Sequence, residues 1–264
     1  TIDTGVGRDT IRGDGDVTGI TNSGTIKTGL GGDTISGSGD VGLGINNESN
    51  GIINTGVGRD TIGAFSKGGG ILNDGIINTG AGADEISAAA LLGIAIVNSG
   101  TIKTGAGKDM IDATFGAVAG IENTGIIKTG TGEDIINAGS GGLAGDLDIN
   151  NSGTIDTGAG KDTVDALNGG FDGLTGGFGG GGTIDLGRGD DLIRGFGQQI
   201  VDGDRGFDTA ELRIDFDENL ITFGSTGATF IDITFDSVTM SFTDVELFDF
   251  NGQEFALEQL QDMA

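Results

Sequence analysis

Residues 71–86 read ILNDGIINTGAGADEI, and this stretch decides the fold. It contains three short segments: Ile-x-Asn at 71–73, Ile-x-Thr at 77–79 and Asp-x-Ile at 84–86. Each has the two-residue period of a short strand with one face turned inward. None has the period and the length of a helix. Between them sit turn-forming pairs, Asn-Asp-Gly and Gly-x-Gly. One such unit cannot bury its isoleucines alone, but stacked units can.

The unit recurs along most of the chain. The pattern Ile-x-Thr-Gly-x-Gly-x-Asp-x-Ile starts at Ile2, Ile26, Ile53, Ile77, Ile102, Ile127 and Ile155, with Val164 as the last residue of the seventh copy, and in weaker form at Ile184. Its aspartates are Asp9, Asp33, Asp60, Asp84, Asp109, Asp134, Asp162 and Asp191, spaced 24 to 29 residues apart. Ile-x-Asn precedes six of the copies, with its Asn at 22, 47, 73, 98, 123 and 151. The predicted fold is all-β: a parallel β-solenoid (a β-helix or β-roll) of about eight coils with a mixed β C-terminal cap. Stacking places Ile2, Ile26, Ile53, Ile77, Ile102, Ile127, Ile155 and Ile184 in one buried column. A second runs Ile11, Ile35, Ile62, Ile86, Ile111, Ile136, Val164 and Ile193. The asparagines read as a hydrogen-bonded ladder; a preference for their turns is compatible with it, and both roles are structural.

Composition narrows the function. The 264 residues include 57 Gly and no Pro, Cys, His, Trp or Tyr. Without Cys or His there is no zinc finger, thiol catalysis, haem ligation or serine–histidine triad. Acids outnumber bases 40 to 13, a formal charge of −27, which opposes binding to nucleic acid or to an anionic membrane surface. The apolar run near residues 86–96 is far short of a membrane span. So much Gly with so few aromatic residues would suggest disorder, yet hydrophobic residues make up 35% and the Ile spacing is regular.

The chain divides into repeats over 1–195 and a β capping region over 196–264. Residues 1–195 hold four Phe, and the last 69 residues hold ten. AELRIDF, ATFIDITF, SVTMSF and DVELFDF alternate as antiparallel strands do. A solenoid end exposes unpaired strand edges and needs such a cap. Residues 165–183, rich in Gly, read as an enlarged loop on the seventh coil. The chain begins at Thr1 inside a repeat, and its first coil lacks Ile-x-Asn. A fragment, a processed product or a subunit that stacks on another would begin so.

Thr-Gly-x-Gly-x-Asp carries the chemistry. Its two glycines permit a tight turn with positive φ, which would aim several carbonyl oxygens at one point beside the Asp carboxylate. Calcium accepts six to eight oxygens in flexible geometry, and two stacked turns suit it better than they suit magnesium. Transition metals favour the nitrogen and sulfur ligands that this chain lacks. The eight aspartates are therefore the predicted metal ligands. About seven calcium ions would fill the gaps between eight turns. Asp16 and Asp40, in GDGDV and GSGDV, form a smaller acidic array that reads chiefly as a solvated corner.

The turn resembles the RTX (haemolysin-type) calcium-binding repeat, Gly-Gly-x-Gly-x-Asp-x-U-x, a calcium-binding parallel β-helix. Thr28-Gly29-Leu30-Gly31-Gly32-Asp33-Thr34-Ile35 matches its first eight positions, with Thr in place of the first Gly. That change recurs in seven copies, with Leu186 there in the eighth, and one such turn occurs per roughly 25 residues. In the tail, GDRGFDTAEL from Gly203 is similar to a last degenerate repeat, with Asp208 at the motif's Asp. DVELFDFNGQEFALEQL is similar to the family's cap. The resemblance implies calcium between coils along one edge, type I secretion and an extracellular or cell-surface location.

Three functions compete. A polysaccharide-acting β-helix enzyme, a lyase or epimerase, needs a clustered acid and base. The outward residues of Ile-x-Thr are instead a mixed series: Asp3, Lys27, Asn54, Asn78, Lys103, Lys128, Asp156 and Asp185. An ice-binding solenoid needs a regular Thr or Asn lattice, whereas the x positions of GxGxD run from Val6 and Arg8 to Arg188 and Asp190. The preferred expectation is a non-enzymatic, secreted, calcium-binding solenoid with a structural or adhesive role. Its partners would be calcium ions and either surface polysaccharide or subunits stacked end to end.

Overall fold

The computed structural model describes residues 1–141, 147–167, 177–223 and 230–263. The chain winds as a parallel β-solenoid and lays one short strand of each coil on each of three sheets. A representative coil has Ile76–Ala81 on the first sheet, Glu85–Ala90 on the second and Ile94–Asn98 on the third. Successive coils pair in parallel and in register: Ile77 lies between Ile53 and Ile102, and Ile86 between Ile62 and Ile111. The third sheet has seven strands, so about seven turns are complete on all three faces. Eight corners with seven intervals between them reconcile this with the repeat count.

The core is the set of isoleucine columns. Ile53, Ile77, Ile102, Ile127, Ile155 and Ile184 are fully buried on the first sheet, and Ile35, Ile62, Ile86, Ile111 and Ile136 on the second. The third sheet adds Ile45, Ile71, Ile96, Ile121 and Ile149, and its last place is taken by Phe178, in register with Ile149. Ile2 is 47% exposed because no earlier coil covers it. Of the segment read as an enlarged loop, residues 168–176 lie outside the described residues. Thr163–Asp165, Phe178–Gly179 and Thr183–Asp185 within and beside it are strands.

The corner between the first and second sheets requires its glycines. Gly80 and Gly82 have φ of +101° and +145°, and a Cβ on Gly82 would lie 1.6 Å from the Gly58 carbonyl oxygen. A side chain there would separate the coils, which explains Gly-x-Gly at the eight repeat corners.

The asparagines form a ladder at the corner between the third and first sheets. Nδ2 of Asn22, Asn47, Asn73, Asn98 and Asn123 each donates to Oδ1 of the Asn one coil further on, at 2.7–2.8 Å. The same nitrogens also reach a backbone carbonyl of the next coil, as Asn98 does at Ile126. The ladder ends on Gln199, whose Oε1 accepts from Asn151. Gln is one methylene longer than Asn and replaces it where the third sheet stops.

The parallel stacking continues past residue 195. Ile200–Asp202 and Thr209–Leu212 extend the first and second sheets. Val238–Thr243 and Leu247–Phe250 then add to them in parallel. The expected antiparallel pairing holds for Phe230–Phe235 against Val238–Thr243 and against Ile221–Phe223. It holds also for DVELFDF, whose strand Leu247–Phe250 pairs antiparallel with Gln253–Ala256 on one side and parallel with Thr209–Leu212 on the other, whereas the AELRIDF strand pairs only in parallel along the rod. Phe242, Phe248 and Phe250 bury themselves over the open end, with Phe242 and Phe248 edge to face at 5.2 Å. The chain closes on a helix, α1 (Leu257–Met263), that buries Leu260. Without a repeat to set its period, this helix was not legible in the sequence.

Asn98→Ala should destabilise the protein by about 2–4 kcal/mol, because it orphans buried groups on both neighbouring coils. Asn22→Ala, at the end of the ladder, should cost about half of that. Denaturant midpoints of the two variants check this; equal losses would contradict a continuous ladder.

Candidate functional site

The corner that holds Gly-x-Gly also holds the eight predicted aspartates, and the fold brings all eight into one column. The backbone N–H of Asp9 donates to Asp33 Oδ1, that of Asp33 to Asp60, and so on through Asp84, Asp109, Asp134, Asp162 and Asp191, at 2.6–2.8 Å. The carboxylates face inward. Asp33, Asp60, Asp84, Asp109, Asp134, Asp162 and Asp191 are buried, and only Asp9 at the open end is half-exposed.

The column is longer than the repeat count. Asp191 N–H donates to Asp208 Oδ1 at 2.9 Å, and Asp208 N–H donates to Glu246 Oε2 at 2.7 Å. Sequence reasoning found Asp208 only through its resemblance to a last repeat, and it missed Glu246. A signal was present: Glu246-Leu247-Phe248 is Asp-x-Ile with a longer acid and a larger apolar residue. Its separation of 38 residues from Asp208 hid it.

Beside the carboxylates runs a threonine ladder. The hydroxyls of Thr4, Thr28, Thr55, Thr79, Thr104 and Thr129 each donate to the backbone carbonyl of the next coil's Thr, and Thr157 donates to that of Leu186. This explains Thr at the position where the RTX pattern has Gly. The threonines also lie against the carboxylates of their own turns, as Thr79 does with Asp84. A hydroxyl has one proton, and here it goes to the neighbouring coil's carbonyl.

One oxygen of each carboxylate is therefore left over. Oδ2 of Asp9, Asp33, Asp60, Asp84, Asp109, Asp134, Asp162, Asp191 and Asp208 is buried and has no hydrogen-bond partner among the described residues. Leaving a buried charged group unsatisfied costs several kcal/mol each time, against a net stability of about 5–15 kcal/mol for a whole domain. The column needs a source of positive charge or of protons.

The proton affinities carry the same strain. Burial raises Asp60, Asp109 and Asp134 above the ordinary carboxylate range. It raises Asp84 and Asp191 to about 6, and Asp162 and Asp208 to about 7. The backbone N–H received by Oδ1 opposes the rise, and neighbouring carboxylates in the column add to it.

The turn carbonyls do not converge as the sequence suggested. Those of Ala81, Ala106 and Thr131 point along the rod and accept from Gly58, Gly82 and Gly107 of the preceding coil. Each keeps a second lone pair. Among the described residues no three acidic groups surround one point, since each coil adds a single carboxylate. A cation in the column would be held by carboxylates of two neighbouring coils, corner carbonyls and water. Nine orphaned oxygens in line fit that role.

Elsewhere, most described acids are exposed or paired, and buried Asp148 accepts from the N–H groups of Ser140 and Gly177. Asp16 and Asp40 are exposed, as a solvated corner requires. On the outer face of the first sheet Asp3, Lys27, Asn54, Asn78, Lys103, Lys128, Asp156 and Asp185 stand in one register. Lys128 pairs there with Asp156. On the second sheet Arg194 bridges Asp165 and Glu211. No protein-family model matches the chain, and no curated protein matches its sequence.

The raised carboxylates set a pH dependence for the chain without bound cations. A group whose folded value exceeds its unfolded one, about 3.9 for Asp, stabilises fully below the unfolded value and loses that contribution as pH rises through the folded one. In chelator this contribution should thus be largest at about pH 4 and below and shrink steadily as the pH rises to about 7. Thermal melts from pH 4.5 to 8 in EGTA test this; stability rising with pH would show that the carboxylates are already compensated.

Proposed function

We propose that this protein is a calcium-loaded β-solenoid rod that acts outside the cell as a structural, surface or adhesive module. The observation that carries the reading is the column of buried aspartates whose Oδ2 atoms have no partner. Calcium would supply the missing positive charge and accept the oxygens that face each gap. The protein's own groups do the rest. Oδ1 and the backbone N–H fix each carboxylate in register, the threonines hold the backbone beside it, and Gly-x-Gly lets the coils approach.

The eight predicted aspartates, Asp9 to Asp191, bound seven gaps, so about seven ions would bring the formal charge from −27 to about −13. Ordering 57 glycines is entropically costly. Binding free energy would then become folding free energy. Extracellular calcium sites work at about 10⁻⁴–10⁻³ M, far above cytosolic calcium. A chain that stays extended inside and coils outside suits export, and the RTX-like turn and tail support type I secretion. The reading assigns no catalysis. The mixed, solvated outer face suits contact with surface polysaccharide or with other subunits.

In EGTA the chain should have a larger hydrodynamic radius and weaker β circular dichroism, and millimolar calcium should reverse both. Metal analysis should then find several calcium ions per chain. One ion or none, or a compact β-rich chain in EGTA at pH 7.5, would overturn calcium-dependent folding. Asp84→Ala borders two gaps and should lose more calcium and more stability than Asp9→Ala at the open end. Equal losses would exclude ligands shared between coils.

A further inference from the structure

We propose that the junction between the rod and its C-terminal cap is itself a cation site, with Asp208 and Glu246 as its carboxylates. The inference rests on the calcium reading above and extends it to a gap that no repeat marks. Asp208 is fully buried, its Oδ1 is held by Asp191 N–H, and its Oδ2 has no hydrogen-bond partner. Glu246 comes from the cap, 38 residues later, and is tied to Asp208 by the same N–H-to-carboxylate bond that links every pair of coils. Two carboxylates from stretches 38 residues apart are thereby set side by side.

A backbone oxygen approaches the same point. A Cβ on Gly203 would lie 2.6 Å from Asp208 Oδ2 and 1.9 Å from the Asp244 carbonyl oxygen. Any larger residue at 203 would close this space, and Gly203 stands where the earlier turns have Thr or Leu. Among the described residues the ion pairs give neither Asp208 nor Glu246 a Lys or Arg partner. Asp190 stands close enough to add to the negative potential. Two carboxylates, a carbonyl and water make an all-oxygen set for a hard divalent cation, and their irregular arrangement favours calcium over magnesium. The ion would fasten the cap to the rod.

Glu246→Gln tests this directly, because glutamine keeps an oxygen to accept Asp208 N–H while it removes the charge. The wild type in millimolar calcium should bind about one calcium more per chain than Glu246→Gln. In the variant, amide exchange should speed up in Leu247–Phe250 and Val238–Thr243 but not in Ile76–Ala81. Asp208→Asn, which faces the gaps on both sides, should lose more calcium than Glu246→Gln, and it decides the matter by the same count if the first variant fails to fold. A wild type that binds several ions and a Glu246→Gln that binds as many would overturn the junction site and leave the column reading standing. A wild type that binds none would overturn both.

Discussion

Coils stacked in register put every residue directly against its own counterpart, so a buried side chain must be compatible with copies of itself. Apolar residues meet this condition by packing. Asparagine meets it because an amide carries both donor and acceptor, and each Asn from Asn22 to Asn123 donates to the next. Threonine meets it through a hydroxyl that reaches the next backbone carbonyl. An ionised carboxylate carries acceptors only. Backbone N–H groups satisfy Oδ1 of Asp33 to Asp208, and none of the described residues satisfies Oδ2. Of the three polar ladders, the aspartate column alone is incomplete without something from outside the chain.

The ends follow from the same rule. A ladder with a direction leaves a donor at one end, and this chain closes two of its three ladders with the longer homologue of the repeated residue. Gln199 succeeds the asparagines and Glu246 the aspartates. The extra methylene spans a step where coil geometry changes. The cap also closes the apolar columns: Val201 and Ala210 continue them, and Phe242 and Phe248 cover the end. Solenoid and cap thus share two sheets and one acidic column.

The exterior is unconstrained by stacking and varies freely. The outward column of the first sheet mixes Lys, Asn and Asp, with ion pairs such as Lys128–Asp156 that contribute little at the surface. The excess of acid is divided between this solvated skin and the buried corner. In the corner low dielectric makes charge expensive, and there burial raises Asp84 and Asp191 to about 6 and Asp162 and Asp208 to about 7.

The sequence by itself determined the period, the three-strand coil, the isoleucine columns and the alignment of Asp9 to Asp191 and of Asn22 to Asn151. All of these depend on residues repeating about 25 positions apart, and a period-two pattern states which of them face inward. It also pointed to an asparagine ladder compatible with a turn role, and the Nδ2–Oδ1 bonds and the bonds within each turn show both. The tertiary structure decided what repetition cannot encode. Ile149 is followed in its column by Phe178, and Asp208 by Glu246, because the third sheet ends and the chain makes an antiparallel detour through Phe230–Phe235 before rejoining the stack. Once the coil length is broken, spacing no longer predicts neighbours, and only the folded path shows which residue completes a column. The buried, half-satisfied state of the carboxylates was hidden for a related reason: a motif shows that Asp recurs, while the position of its second oxygen depends on how closely the next coil packs.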